Sequence, residues 1–308
     1  MFERLAKKYV SNSFIVSVYL ALRRFFSAIH DMSRKGGMAK KAHRAKKPVL
    51  YLLEFHVAEH CNMNCNHCFH FSSLVKEKSF PSLEQFKKDI ARLGEIFDNI
   101  RTIRLMGGEP LLNDELPQFI YETRKVFPKA KINVLSNGLL YKKLDGELLT
   151  AFITCNASIH VSLYKPMIHK KDEMARHFTD KGVKHWISNP ILRFAKYINV
   201  EGTSDPKKVV RQCPASRCTF LSNGHIARCP LPFNIKYFNK RFNHAISMDN
   251  ELIDIHKLEI DGFALKKRLA QPMESCRYCT KLEWVDWNQI QPTSERSISV
   301  TDFCSGKR

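Results

Sequence analysis

Short apolar runs alternate with amphipathic segments from residue 49 onward. Residues 49–57 are apolar at nearly every position, which is typical of a strand covered on both faces of a sheet. Residues 82–97 carry apolar side chains at helical spacing, with Ser82 as the N-cap and Gln85 completing a capping box. We therefore predict a strand followed by a helix at the start of this region.

The same alternation continues along the chain. We predict further strands at residues 102–106, 131–135, 157–163, 184–188 and 198–201, and helices at residues 113–127, 141–152 and 167–181. Repeated strand and helix units imply an α/β fold with a parallel sheet and right-handed crossovers. Functional side chains in such folds lie at the carboxyl ends of the strands.

Three cysteines follow the first predicted strand directly. Cys61, Cys65 and Cys68 have the spacing C-x3-C-x2-C. Three thiolates on one loop can each bind one iron of a [4Fe–4S] cube and leave the fourth iron open to a small molecule. The spacing alone could also arise by chance or bind zinc, so its context is needed.

A second motif ends the next predicted strand. It reads Gly107, Gly108, Glu109, Pro110. The glycines allow a backbone to approach a ligand closely, the glutamate offers an acceptor to a cationic amine, and the proline ends the strand ladder. The simpler interpretation is a tight turn between a strand and a helix.

The two motifs, in this order at the ends of successive strands, resemble those of the radical S-adenosylmethionine (radical SAM) superfamily. The resemblance implies a partial (β/α)6 TIM barrel over residues 49–205. It also implies a [4Fe–4S] cluster whose open iron binds S-adenosylmethionine, with residues 107–110 beside the methionine amino group. His67, just before the third cysteine, would lie near the adenine. Asn137 and Ser162, at strand ends, would bind the ribose and carboxylate, although either could simply be solvated.

A second set of cysteines lies in the last third of the chain. Residues 219–228 read as a β-hairpin with Asn223-Gly224 at the turn, and folding it would bring Cys213 and Cys229 together. Cys276 and Cys279 could complete a site of four thiolates. A structural zinc ribbon is the alternative, since two cysteine pairs also suit tetrahedral zinc.

This second set resembles the twitch form of auxiliary-cluster domain, a shortened relative of the SPASM domain. The resemblance implies one auxiliary [4Fe–4S] cluster within residues 206–290. Cys218 is close enough in sequence to replace Cys213 as a ligand. We predict that Cys155 is a small buried apolar residue and that Cys304, in the polar tail of residues 291–308, is free.

The composition of the chain indicates a cellular compartment and a basic N-terminal segment. The chain has ten cysteines in 308 residues, and their cluster-like grouping favours a reducing, cytoplasmic compartment.

Residues 1–48 carry twelve Lys or Arg against Glu3 and Asp31. Their apolar run, residues 14–22, is too short to cross a bilayer, which takes about 20 residues. A basic helix and linker that contacts the inner membrane face through residues 1–40 is predicted; docking on the barrel or on a partner is the alternative.

Charge also bears on the substrate. The formal net charge is +20, which raises nucleic acid as a partner, but no added RNA-binding domain is recognisable. Anionic small molecules or glycan precursors explain the same charge. No residue stands out as a general base: His160, Tyr164 and His169 lie near a strand end without a distinguishing pattern.

The expected function follows from the resemblance. Residues 54–61, 68–72 and 227–231 look like a bacterial subgroup met among surface-polysaccharide functions. We expect cleavage of S-adenosylmethionine to a 5′-deoxyadenosyl radical, with oxidation or epimerisation of a sugar-like alcohol and a flavodoxin or ferredoxin as electron donor. A peptide-maturing enzyme and a non-catalytic, membrane-associated scaffold are the alternatives.

Overall fold

The computed structural model describes residues 47–257, 259–290 and 298–305. Its strands in chain order are β1 (Val49–Ala58), β2 (Asn99–Gly107), β3 (Lys131–Ser136), β4 (Ser158–Val161), β5 (Lys184–Ile187), β6 (Arg193–Ile198), β7 (Phe220–Ser222), β8 (His225–Ala227), β9 (Ile253–Asp254) and β10 (Cys279–Asp286). Its α-helices are α1 (Leu83–Ile96), α2 (Leu116–Val126), α3 (Gly146–Thr154), α4 (Lys171–Asp180), α5 (Pro206–Gln212), α6 (Leu231–Phe242) and α7 (Gly262–Leu269).

Eight of these strands form one sheet in the order β5-β4-β3-β2-β1-β7-β8-β9. Strands β1 to β5 are parallel, and β7 adds in parallel to the other side of β1. The α/β class with a parallel central sheet, predicted from the alternating segments, is confirmed. The carboxyl ends of β1 to β4 consequently meet at one edge of the sheet.

Helix α1 has the N-cap and the buried apolar face that its sequence pattern predicts. The Ser82 hydroxyl accepts the Gln85 N–H at 3.2 Å, so the predicted N-cap is present. The Gln85 side chain, however, donates to Asp89 and not back to Ser82, so only half of the capping box forms. The buried face of α1 packs Phe86 against Phe55 of β1, with ring centroids 4.6 Å apart. Helix α1 thereby covers one face of β1, and the alternate side chains of β1 lie on the opposite face.

The last predicted barrel strand is wrong in its position and its pairing. Residues 198–201 were expected to join the parallel sheet, but β6 ends at Ile198 and pairs antiparallel with β10. The cause is packing: Tyr197 and Ile198 are buried in a second apolar cluster, together with Phe71, Phe238 and other residues. That cluster lies apart from the one that fills the space between the helices and the sheet.

The hairpin of β7 and β8 is present as predicted. Asn223 and Gly224 have φ values of 45° and 74°, the left-handed pair that a two-residue hairpin turn requires. The Gly224 N–H donates to the buried Asp89 carboxylate at 2.8 Å, which ties the turn to α1. Because β7 pairs with β1, the hairpin is part of the main sheet, and the domain boundary at residue 205 stays a prediction.

The two chain ends differ in what can be described. Residues 298–305, which were treated as part of a polar tail, bury Phe303 in the second apolar cluster. The basic helix predicted within residues 1–48 lies outside the described residues, apart from its last two positions. In the described part of the chain, none of the helices combines the length and the apolar character that crossing a membrane would require.

Candidate functional site

The loop after β1 carries the first three cysteines. Asn64, His67 and Phe71 have positive φ values of 51°, 59° and 56°, so the backbone turns repeatedly between and after the thiols. Burial, together with the nearby Glu109 and Cys68, raises the pKa of the Cys61 thiol to about 12. The three thiols therefore lie close together, and a group that binds them must displace their protons.

The two glycines hold this loop against the end of β2. Gly108 donates its N–H to the Ala58 carbonyl at 2.8 Å, and Glu109 donates to the His60 carbonyl at 3.1 Å. A Cβ added at Gly108 would lie 1.9 Å from the His60 oxygen. Gly107 has φ +135°, and a Cβ there would lie 2.0 Å from the Ala58 oxygen. The glycines are thus required by close contact with the cysteine loop itself.

Glu109 joins the ends of two neighbouring strands from a fully buried position. Its carboxylate accepts the Ser136 hydroxyl at 2.8 Å, the Asn137 N–H at 2.8 Å and the Leu111 N–H at 3.1 Å. Burial raises its pKa to about 7, although these three donors act in the opposite direction. A carboxylate can accept about four hydrogen bonds, so capacity for one further donor remains.

The other predicted cofactor contacts are spread over this edge. Asn137 donates its side-chain N–H to Asn62 Oδ1 at 2.8 Å and approaches the Cys61 sulfur at 3.6 Å. Ser162 follows β4 and donates its N–H to the Ser136 carbonyl at 2.9 Å. His67 is buried, and its Nδ1 hydrogen-bonds to a backbone carbonyl of the C-terminal segment. The roles of these residues toward the adenine, ribose and carboxylate remain predictions.

The face of the sheet opposite α1 bears polar residues that the sequence analysis did not single out. Arg104 of β2 pairs with the buried Glu54 of β1 at 2.7 Å. His56, two residues on from Glu54, hydrogen-bonds to Glu59 at 2.9 Å and to His70 at 2.8 Å. Two polar residues at alternate positions of an otherwise apolar strand were the available signal, because alternate side chains share a face.

The three residues considered as general bases lie in different surroundings. His160 of β4 is half-buried, and its pKa is lowered by burial and by the cation of Arg104. Tyr164 stacks on Trp287, with centroids 5.7 Å apart and an interplanar angle of 16°. His169 is exposed in the 3-10 turn Lys165–Lys170. Only His160 of these three belongs to the polar face with Arg104.

Four cysteines of the second set line a single cavity. They are Cys213, Cys229, Cys276 and Cys279. Arg228 also lines it, and its guanidinium is fixed by backbone carbonyls, one of them that of Ser216 at 2.7 Å. Cys218 does not line this cavity, and its thiol lies beside Glu54. Burial is the main cause that raises the pKa of the Cys218 thiol, and the Glu54 carboxylate raises it too.

Tyr197 lies between the two sets. Its hydroxyl donates to the Phe69 carbonyl at 2.9 Å, and the two rings are 4.5 Å apart. Burial raises its pKa far above the usual value, and the thiols of Cys279 and Cys68 add to this effect. The buried Tyr197 ring therefore lies near cysteines of both sets.

The donor chemistry of both sets fits iron–sulfur ligation. Thiolates are the usual ligands of such clusters, and three on one loop would leave one iron of a cube free. Within the described ranges, no three His, Cys, Asp or Glu side chains form a ready site for a single metal ion. Cys155 is buried as predicted, and Cys304 is a free thiol.

Comparison with known proteins identifies one domain of the chain. Residues 56–181 match the Radical SAM superfamily. Over 101 residues the chain is 36% identical to a probable GTP 3′,8-cyclase of Sulfolobus acidocaldarius, which covers 32% of this chain and 31% of that protein. Over 99 residues it is 34% identical to AlbA, the antilisterial bacteriocin subtilosin biosynthesis protein of Bacillus subtilis, covering 32% and 21%.

Among solved structures, BtrN in complex with AdoMet and 2-DOIA aligns with a TM-score of 0.46 and 16% identity, covering 76% of this chain and 94% of BtrN. At these values the likeness does not bear on substrate or reaction. The chain spans about a third of the length of the curated GTP 3′,8-cyclases that it matches. Residues 56–181 therefore form a radical SAM domain, and members of that superfamily use a [4Fe–4S] cluster with S-adenosylmethionine.

Proposed function

We propose that this chain is a radical SAM enzyme that cleaves S-adenosylmethionine reductively and removes a hydrogen atom from a substrate C–H bond. The observation that carries the proposal is the contact between the three-cysteine loop and the Gly108–Glu109 strand end. Two backbone hydrogen bonds, of 2.8 and 3.1 Å, join them. When bound, the cluster and S-adenosylmethionine supply a 5′-deoxyadenosyl radical.

The chain's own residues hold and orient these groups. Cys61, Cys65 and Cys68 would ligate three irons, and their pKa values, raised by burial, mean that loading releases protons. Glu109 fixes the end of β3 beside this loop and keeps acceptor capacity for the methionine amine. Asn137 braces the loop through Asn62.

The test is production of 5′-deoxyadenosine by the anaerobically reconstituted protein under a strong reductant. A triple variant, Cys61→Ala, Cys65→Ala and Cys68→Ala, is the control for iron-dependent cleavage. We expect product from the native chain and none from the variant. An iron-loaded native chain that forms no product would contradict the enzyme proposal and favour a non-catalytic scaffold.

We further propose that Cys213, Cys229, Cys276 and Cys279 bind one auxiliary [4Fe–4S] cluster. Support comes from the cavity that all four line and from the fixed cation of Arg228 beside it, which suits an anionic cluster of thiolates. Two cubes predict about eight irons per chain, falling to about four in the triple variant. About four irons falling to none, with bound zinc, would indicate a zinc site instead.

For the substrate we propose a small alcohol related to a sugar, which is oxidised or epimerised. An auxiliary cluster could accept the substrate radical's electron, which net oxidation requires. The ion pair of Arg104 and Glu54 supplies this face of the sheet with groups that bind hydroxyl and anionic substituents. A ribosomal peptide is the second candidate because of the match to AlbA. Product analysis with sugar nucleotides, free sugars and candidate peptides separates the two.

Location and electron donor are also proposals. We propose a cytoplasmic protein that receives electrons from a flavodoxin or ferredoxin and that touches the inner membrane through residues 1–40. The basic excess of that segment is the support. Co-sedimentation with anionic vesicles should fall when residues 1–40 are removed. Equal sedimentation of both forms would refute the membrane contact.

A further inference from the structure

A short segment that follows β10 is paired with the three-cysteine loop. Residues 287–290 run antiparallel to that loop: the Asn66 N–H donates to the Asn288 carbonyl at 3.0 Å, and the Ile290 N–H donates to the Asn64 carbonyl at 2.8 Å. The loop is therefore supported by backbone from a part of the chain more than 220 residues away. The first residue of this segment is Trp287.

Trp287 is buried beside the thiols. Its backbone N–H donates to the Leu192 carbonyl at 2.8 Å, and its ring stacks on Tyr164, which orients the indole. The side chain also lies beside Cys65, because Cys65 forms an antiparallel bridge with Gln289, two residues after Trp287, and the indole N–H faces the Cys65 sulfur. The indole is thus fixed with its polar edge toward a sulfur.

The indole nitrogen lacks a completed hydrogen bond. Trp287 is only 6% exposed, and within residues 47–257, 259–290 and 298–305 its Nε1 has no partner of normal geometry. Buried donors are nearly always paired. An orphaned donor beside Cys65 points to a partner that the three thiols hold.

We propose that Trp287 donates its indole N–H to a sulfur of the cluster bound by Cys61, Cys65 and Cys68, either the Cys65 thiolate or an adjacent sulfide. This inference rests on the proposed function. The hydrogen bond stabilises the more negative, reduced state of the cluster, so it raises the reduction potential. Trp287 is a positioning residue because it acts through the cluster and does not touch substrate.

The test is a redox titration followed by electron paramagnetic resonance on reconstituted full-length protein. The signal to follow is the one that shifts when S-adenosylmethionine is added. Trp287→Phe keeps an aromatic ring beside Tyr164 and removes the N–H donor together with one ring of the indole. We expect the ratio of reduced to oxidised cluster at a fixed potential to fall about tenfold, which is about 59 mV for one electron.

Trp284→Phe is the matched control. Trp284 lies on β10, three residues before Trp287, but it is 53% exposed. We expect its variant to titrate like the native chain. Equal midpoint potentials for the native chain and Trp287→Phe, with the cluster present in both, would overturn the inference and leave the proposed function standing.

A second readout does not depend on the potential. In protein labelled with 15N-tryptophan, the reduced cluster should show a 15N coupling in pulsed resonance spectra. The coupling should vanish in Trp287→Phe and persist in Trp284→Phe, although two tryptophans remain in each variant. A coupling unchanged in Trp287→Phe would also overturn the inference. A native chain that binds no iron at the three cysteines would refute both the inference and the proposed function.

Discussion

Adding one methyl group at Gly108 should empty the three-cysteine site while leaving most of the fold in place. The Cβ of Gly108→Ala would lie 1.9 Å from the His60 oxygen, 2.3 Å from the His60 carbonyl carbon and 2.9 Å from the Cys61 nitrogen. All three atoms are backbone, so no side-chain rotation can relieve the clash. The loop must therefore move away from β2 by roughly 1 Å to restore ordinary contact distances.

A displacement of this size breaks the hydrogen bonds that seat the loop. The bonds from Gly108 to Ala58 and from Glu109 to His60 are 2.8 and 3.1 Å long, and a further 1 Å takes them beyond hydrogen-bonding range. Two buried backbone bonds lost with their groups left unpaired cost about 2–6 kcal/mol. That is less than the stability of many domains, so we expect the loop to open locally before the chain unfolds.

The assay is iron content and 5′-deoxyadenosine formation, with Gly146→Ala as control. Gly146 has φ +49°, and no atom lies within 4 Å of its added Cβ, so this variant carries left-handed strain of about 1–2 kcal/mol without a clash. We expect Gly108→Ala to lose about four irons per chain and at least about 30-fold in cleavage rate. Gly146→Ala should keep both.

One result would refute the reasoning directly. If Gly108→Ala bound iron and cleaved S-adenosylmethionine as Gly146→Ala does, the loop could not be seated on β2 by the contacts described. Loss of all iron in Gly108→Ala, including that of the second cysteine set, would mean that the clash unfolds the chain globally. Circular dichroism at matched temperature separates global unfolding from local opening.

Three further predictions concern other parts of the site and fold. Cys213→Ala should remove about four irons and Cys218→Ala none, as iron analysis would show; equal losses would contradict the cavity assignment. Burial raises the pKa of Glu109 to about 7 in the folded chain. As the pH rises from 5 to 8, the free energy of unfolding of the apoprotein should therefore fall by about 2 kcal/mol relative to that of Glu109→Gln. Urea unfolding tests this, and parallel pH profiles would contradict it. Asp89→Ala leaves the hairpin-turn N–H unpaired and should cost about 3 kcal/mol in urea, whereas the exposed Asp114→Ala should cost almost nothing; similar costs would refute this.

The parallel sheet was readable from the sequence because each of its elements has a local signal. β1 is a mostly apolar run of ten residues, Ser82 caps α1, and Asn223-Gly224 forms the hairpin turn. β6 has no such signal. Its charged Arg193 and Lys196 are three residues apart, so polar and apolar positions do not alternate, and its partner β10 lies some eighty residues further along the chain. Only tertiary pairing decides that β6 leaves the main sheet.

The site divides in the same way. The spacing of Cys61, Cys65 and Cys68 places three thiols on one loop whatever the rest of the chain does. Spacing cannot separate Cys213 from Cys218, because both precede the same hairpin within a few residues. The difference arises from long-range contacts: Cys218 faces Glu54 of β1, whereas Cys213 reaches the cavity with Cys276 and Cys279.

The same element serves both cysteine sets. Cys279 begins β10, and the chain runs from this ligand through β10 to Trp287 and the residues paired with the first loop. β10 also pairs with β6, whose Tyr197 lies between the sets. A shift of β10 would therefore reach both cysteine sets. The two cysteine sets are consequently parts of one structural unit, and the occupancy of one should influence the geometry of the other through β10.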